Sequence, residues 1–267
     1  MKNLIKSFVK SVVPEKYHDD LEDLYLKWDF RGNRFACPFC GGHFGKMLPT
    51  GTNVAVWKEK NMVGGGYRLN ARCPTRSCQS LDRERLLYLF LKEKTSIFSA
   101  RVKLLHVAPE RNLQKIFLNQ KNIDYLSADL DAPSAMIKMD VMDIQFNDHM
   151  FDVVICNHVL EHVPDDKKAM AELHRVLKPN GWALLQVPLS LSLDATYEDA
   201  TITSPEDRER MFGQKNHLRI YARDYKDRLE CVGFGVKEYE AVRELGADIV
   251  QRFALPEKEN IYICSKE

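Results

Sequence analysis

The feature that most constrains this chain is an alternation that begins near residue 101. Short apolar runs at residues 102–107, 123–127, 151–156 and 182–187 read as buried strands. Between them, residues 113–120 and 165–177 read as helices, and Lys178-Pro179-Asn180-Gly181 reads as a helix stop followed by a turn. Residues 221–231 read as a further helix, and 236–239 with 261–264 as a closing antiparallel pair. Strands alternating with helices need crossover connections, so the expected fold is α/β, a mostly parallel sheet with helices on both faces. Its ligand belongs at the carboxyl ends of the strands, where the strand order reverses.

Composition narrows the function. The 267 residues suit one large domain or two unequal ones. With 45% apolar and 29% charged residues the chain is globular rather than disordered. Lys and Arg number 39 against 38 Asp and Glu, and this near-balance disfavours a protein whose main work is gripping nucleic acid. No apolar run approaches the ~18 residues of a membrane span. At the amino terminus Lys2, Lys6 and Lys10 interrupt any secretory apolar core. Leu4, Ile5, Phe8, Val9 and Val12 share one helical face there, as in a short docked helix, the alternative being a weak contact with an anionic membrane surface. The expected compartment is the cytoplasm. The expected organisation is a helical segment over 1–32, a small module over 33–80 and the alternating domain over 81–267.

Four of the seven cysteines lie in that small module. Cys37-Pro38-Phe39-Cys40 is followed by Gly41-Gly42, and Cys73 and Cys78 form a second pair spaced by four. Such pairs let thiolates converge on one tetrahedral ion, and the glycines permit the knuckle. Residues 53–57 and 67–71 look β-like around a glycine turn at 64–66, so paired knuckles on hairpins describe a zinc ribbon. Four thiolates leave no open position, which makes the ion structural. His43 in place of one cysteine is an alternative, and a redox C-x2-C belongs at a strand-to-helix junction that this segment lacks. Cys156, Cys231 and Cys264 read as small buried hydrophobes. Residues 80–91 then read as a helix with Ser80 as N-cap, Leu81, Arg85, Tyr88 and Leu89 at helical spacing, and Arg83 and Glu84 on the polar side. Arg72, Arg76, Arg83 and Arg85 form either a basic patch for an anionic ligand or a solvated, salt-bridged face.

Three segments carry a resemblance. Asp140-Val141-Met142-Asp143, then Phe151-Asp152-Val153-Val154 leading to Asn157-His158-Val159-Leu160-Glu161-His162-Val163, then Leu173-His174-Arg175-Val176-Leu177-Lys178-Pro179-Asn180-Gly181 resemble the class I S-adenosylmethionine (SAM)-dependent methyltransferases, type 11. The resemblance covers residues 101–190 and implies a Rossmann-like sheet and SAM as cofactor. It implies that Asp129, beside Leu130, hydrogen-bonds the ribose, with Asp131 as competitor. Asp140, Val141 and Met142 would hold adenine, and Asn157 and His158 would stand beside the methionine part and the methyl. Where the family carries a glycine-rich loop, this chain has His106-Val107-Ala108-Pro109-Glu110. His-x-Ala-Pro-Glu resembles a variant loop of a bacterial subset of the family, in which Glu110 would meet the methionine amino group. A defunct loop would instead make the protein a scaffold without cofactor.

Methyl transfer from a sulfonium is an in-line displacement, so catalysis is mostly positioning, with a base where the acceptor carries a proton. Residues 188–221 form a long segment dense in His, Arg, Tyr and acidic groups, which suits a small polar, sugar-like or lipid-headgroup-like acceptor. His217 is the expected base or acceptor-orienting group, Arg219 the anion or hydroxyl clamp, and His158 a further candidate; Glu161 and His162 read equally as helix-start residues. An RNA methyltransferase that grips its substrate through the zinc ribbon is the alternative enzyme.

Overall fold

The structure, a computed structural model, describes Pro14 and residues 18–267; the helix expected within residues 1–13 lies outside them. A helix at His18–Asp29 leads into five short strands: β1 (Phe35–Ala36), β2 (His43–Phe44), β3 (Leu48–Thr50), β4 (Met62–Val63) and β5 (Arg68–Arg72). β1 pairs with β2 and β3 with β5, all antiparallel. The run at 53–57, expected to be β-like, is instead the helix Ala55–Glu59. Its Val56 and Trp57 are buried, so tertiary packing overrides their β preference.

The alternating region forms the central sheet from β6 (Val102–Val107), β7 (Ile123–Asp129), β8 (Ile137–Lys138), β9 (Phe151–Asn157) and β10 (Leu177–Gln186). After the short β11 (Leu189–Ser190), β12 (Tyr197–Glu198) and β13 (Arg219–Ile220), the last two sheet strands are β14 (Gly235–Glu240) and β15 (Asn260–Ser265). The order is β14-β15-β10-β9-β6-β7-β8. β6 through β10 are parallel, while β15 runs antiparallel to both β10 and β14. This is the expected Rossmann-like architecture with its antiparallel closing strand, and the order reverses between β6 and β9. The helix expected at 221–231 is shorter, Tyr225–Glu230, because Arg219 and Ile220 pair with β12 first.

Each strand feeds two cores. Leu105, Val107, Val154 and Leu185 face the helices Asp166–Val176 and Tyr225–Glu230. Leu104, Val153, Ile155 and Leu184 face the helices Asp82–Lys94 and Arg111–Leu118. Asp165 starts its helix as an N-cap, accepting from the Lys168 amide at 2.9 Å. Ser80 does not cap its own helix; its hydroxyl lies 3.2 Å from the Cys37 sulfur.

Three charged residues of the 82–94 helix, Asp82, Glu84 and Arg85, are buried, contrary to a solvated face. Arg85 is 0% exposed and donates to the carbonyls of Asn70, Ala71, Ser80, Phe253 and Ala254. It therefore belongs to no anion-binding patch. Glu84 accepts from the backbone and side-chain amides of Asn112, at the start of the next helix. Arg85→Met is expected to strand these carbonyls and to cost about 3 kcal/mol, roughly 6–12 °C in a thermal melt. An unchanged melt would show that the arginine is dispensable to the fold.

Candidate active site

The loop after β6 turns at Ala108, whose φ of +49° lies in the left-handed region that favours glycine. Its amide donates to the Ala128 carbonyl at 2.8 Å, so the turn is tied to β7. After Pro109, Glu110 is held by both carboxylate oxygens. Oε2 lies 2.6 Å from His106 Nε2, and Oε1 accepts from Asn157 Nδ2 at 3.0 Å. His106 is fully buried within β6, its other ring nitrogen 3.1 Å from the Tyr125 hydroxyl. Burial opposes ionisation of Glu110, but the hydrogen bonds from His106 and Asn157 outweigh it and hold the carboxyl below its usual range. A fixed carboxylate thus bridges β6 and β9 where the strand order reverses.

Asp129 ends β7. Its Oδ1 accepts from the amides of Asp131 and Ala132 at 2.8 and 2.7 Å, which leaves its second oxygen for a ligand. Leu130 and Asp131 are exposed beside it. Asp140 makes a similar turn, accepting from the Met142 amide at 2.8 Å, with Val141 buried between them. Asn157 ends β9, and His158 follows in the left-handed region with φ +55°.

Buried polar atoms without a partner mark the site. Among the described residues there are five such side-chain atoms: Arg72 Nε, Asn157 Oδ1, His158 Nδ1, Glu161 Oε2 and His217 Nε2. Four of them lie on His217, on Asn157 at the end of β9 and on the segment that follows it, where protein alone does not satisfy the chemistry. The Glu110 carboxylate and the bare Asn157 carbonyl oxygen fit an ammonium donor, and Asp129 fits hydroxyls. SAM carries both, so these residues match the cofactor.

Residues 188–221 are ordered into β11, β12, β13 and the helix Pro205–Phe212. His217 is 1% exposed, with Nδ1 3.1 Å from the Phe212 carbonyl and its ring 4.8 Å from that of His162. Burial, with the nearby His162, pushes its pKa down to about 3, so it is neutral and a feeble base, not one poised near neutrality. His158 is likewise held well below its ordinary value by burial and then by the charges of Arg83 and Arg68. Burial raises the Glu161 carboxyl to about 8.

Arg219 departs most from its expected role. It donates to the carbonyls of Leu160, Val163 and Pro164 and pairs with Glu198 at 3.0 Å. It braces the loop after β9 and has no free fork for an anion. Tyr221 supports the same loop, donating to Leu160 O and Asp166, and Arg228 grips Asp166 in turn.

The cysteine-bearing segment roofs this end of the sheet. β4 pairs with β11, and Trp57 Nε1 donates to the Gly213 carbonyl at 3.1 Å. A Cβ on Gly64, at φ +79°, would stand 3.2 Å from Pro188 Cα and 3.6 Å from the His158 ring, so the glycine turn rests on the end of β10. Gly65 and Gly66 of that turn line one side of a cavity of about 360 Å³, with Arg68, Arg83, Glu209, Gln214 and Lys215 among the other lining residues. No signal in the sequence placed this roof, since its contacts are more than 100 residues apart. The four cysteine sulfurs come together, Cys37 to Cys78 at 3.6 Å and Cys40 to Cys73 at 3.7 Å. Among the described residues no helix is long and apolar enough to cross a membrane.

Residues 103–185 match the methyltransferase domain family. The chain is similar to a 2-phytyl-1,4-naphtoquinone methyltransferase of Nostoc sp., 29% identical over 134 residues, which are 49% of this chain and 52% of that protein. It is also similar to a demethylmenaquinone methyltransferase of Staphylococcus epidermidis, 44% identical over 46 residues, 17% of this chain and 19% of that one. The chain thus spans about half the length, or less, of these curated relatives. A solved putative sarcosine dimethylglycine methyltransferase from Galdieria sulphuraria aligns with 69% of this chain and 84% of its own, at 13% identity and TM-score 0.44. The match is confined to residues 103–185, and the strand order of the sheet that contains them is that of the Rossmann-like methyltransferase fold.

Proposed function

We propose that this protein transfers a methyl group from SAM to an oxygen or nitrogen of a small polar acceptor, sugar-like or headgroup-like. The observation that carries the reading is the Glu110–Asn157 pair, a fixed carboxylate beside a bare amide oxygen at the point where the strand order reverses. With SAM bound, the chemistry supplied is an electrophilic methyl on a sulfonium. Glu110 and Asn157 would hold the ammonium, Asp129 the ribose hydroxyls, and Asp140, Val141 and Met142 the adenine edge. His158 and His217, both neutral, orient the acceptor, and Arg219 positions their loop. Arg68 and Arg83, whose charges reach His158, also line a cavity with Lys215, which is our assignment for the acceptor space. That lining supports a polar acceptor over the phytylated quinone named for the Nostoc relative.

The four cysteines are proposed to hold a structural zinc in a ribbon over residues 33–80. At a Zn–S distance of about 2.3 Å, the edge of a tetrahedron is about 3.8 Å, close to the sulfur separations of 3.6 and 3.7 Å.

Asp129→Ala is expected to weaken SAM binding at least tenfold, ~1.4 kcal/mol. Calorimetry at equal affinity would remove Asp129 from the cofactor site. For the acceptor, SAM labelled in its methyl group is incubated with the protein and separate polar-metabolite, lipid and RNA fractions. Label in the polar fraction is expected, and label confined to RNA would establish the alternative enzyme.

A further inference from the structure

Beyond Asn157, two imidazoles and a carboxylate converge: Glu161, His162 and His217 each bring one potential ligand atom within 4.8 Å of the others. Hydrogen bonds decide which atoms these are. His162 places Nδ1 3.2 Å from the Asn216 carbonyl, and His217 places Nδ1 3.1 Å from the Phe212 carbonyl. A carbonyl only accepts, so each Nδ1 carries the proton and each Nε2 is left with a bare lone pair. Glu161 adds a carboxylate whose Oε2 has no partner, and His217 Nε2 has none either. Glu161 Oε1 stands 3.9 Å from His162 Nε2, beyond hydrogen-bond length. Three acceptor atoms are therefore gathered, Glu161 Oε2 and His217 Nε2 without partners, while the donors nearest the carboxyl are its own backbone amide and His158 Nδ1, 3.5 Å from Oε1; Glu161 and His217 are only 2% and 1% exposed.

We propose that Glu161, His162 and His217 bind a divalent transition-metal ion, zinc in the first place, at a site separate from the four cysteines. Imidazoles that donate Nδ1–H to a backbone carbonyl are pre-set to ligate through Nε2. Two nitrogens and one carboxylate are the ligand set of open, catalytic-type zinc sites, which keep a position for water or an acceptor oxygen. His162 is 29% exposed in its side chain, which gives the ion a way in. Arg83, whose charge reaches all three residues, weighs against a cation, so the expected affinity is moderate. That the open position serves the acceptor rests on the methyl-transfer reading; the metal binding does not.

The test uses the full chain with its cysteine-bound ion in place, titrated with Zn²⁺ and separately with Co²⁺. One further ion per chain is expected, with a Kd of about 1 µM. Its cobalt form should show visible d–d bands without sulfur-to-metal charge transfer. Glu161→Gln and His217→Gln should each weaken this site by about a hundredfold. No second saturable site in the unaltered protein, as when a proton on Glu161 serves instead, overturns the proposal, and so does a site unchanged in both variants. The titration of the unaltered protein decides alone if the variants do not fold. Metal binding intact with no methyl transfer to any fraction would strike only the proposed function.

Discussion

A Cys73→Ser protein is expected to lose one equivalent of zinc and, with it, the fold of the roof. Cys73 is fully buried and belongs to a small cluster with Phe30, Phe35, Phe44 and Met47, too few apolar groups to hold the segment unaided. Structural zinc supplies on the order of 10 kcal/mol to domains of this kind, so its loss outweighs every other contribution in the segment. Because the glycine turn rests on Pro188 and β4 pairs with β11, the damage should reach the acceptor cavity while the sheet survives. Metal analysis and limited proteolysis read both effects. Unchanged zinc content with a protease-resistant 33–80 segment would remove the thiolate site.

Glu110→Gln is expected to weaken SAM binding by one to two orders of magnitude, about 1.5–3 kcal/mol, at little cost to the fold. The amide keeps the shape and an oxygen for Asn157 Nδ2, but it removes the charge that the site fixes through His106 and Asn157. Hydrogen bonds to charged groups contribute about 1.5–3 kcal/mol, so affinity should fall roughly ten- to hundredfold. Calorimetry beside a thermal melt separates binding from stability. Equal affinity in a folded variant would mean that the His-x-Ala-Pro-Glu loop does not read the methionine end.

What the sequence disclosed follows from how local each signal is. The strands 102–107, 123–129 and 151–157 were readable because both faces are buried, which forces near-continuous apolar runs. Asp165 was readable as a boundary because an N-cap acts within three residues. The left-handed Ala108 was visible only as a departure from glycine, and the structure shows that alanine takes the turn itself.

Other signals were long-range. Trp57 and Val56 look β-like, yet contacts of Trp57 with Gly213 make their segment helical. Arg85 and Glu84 read as surface charges because their partners, Phe253, Ala254 and Asn112, lie 168, 169 and 28 residues away. Arg219 was expected to grip a ligand, since no local pattern reveals that Leu160, Val163 and Pro164 take its donors. Glu161 and His162 did carry a signal, the spacing of His158-Val159-Leu160-Glu161-His162, which brings side chains to one side of a single turn. Only the fold adds His217 to them.

The central claim is a working cofactor site built without the usual glycines. Calorimetric titration of the full chain with SAM and with S-adenosylhomocysteine tests it most directly. Saturable binding of both at one site per chain is expected, with a Kd in the micromolar range, ~8 kcal/mol. No binding of either to folded, cofactor-free protein would contradict it and leave a methyltransferase fold that serves as a scaffold.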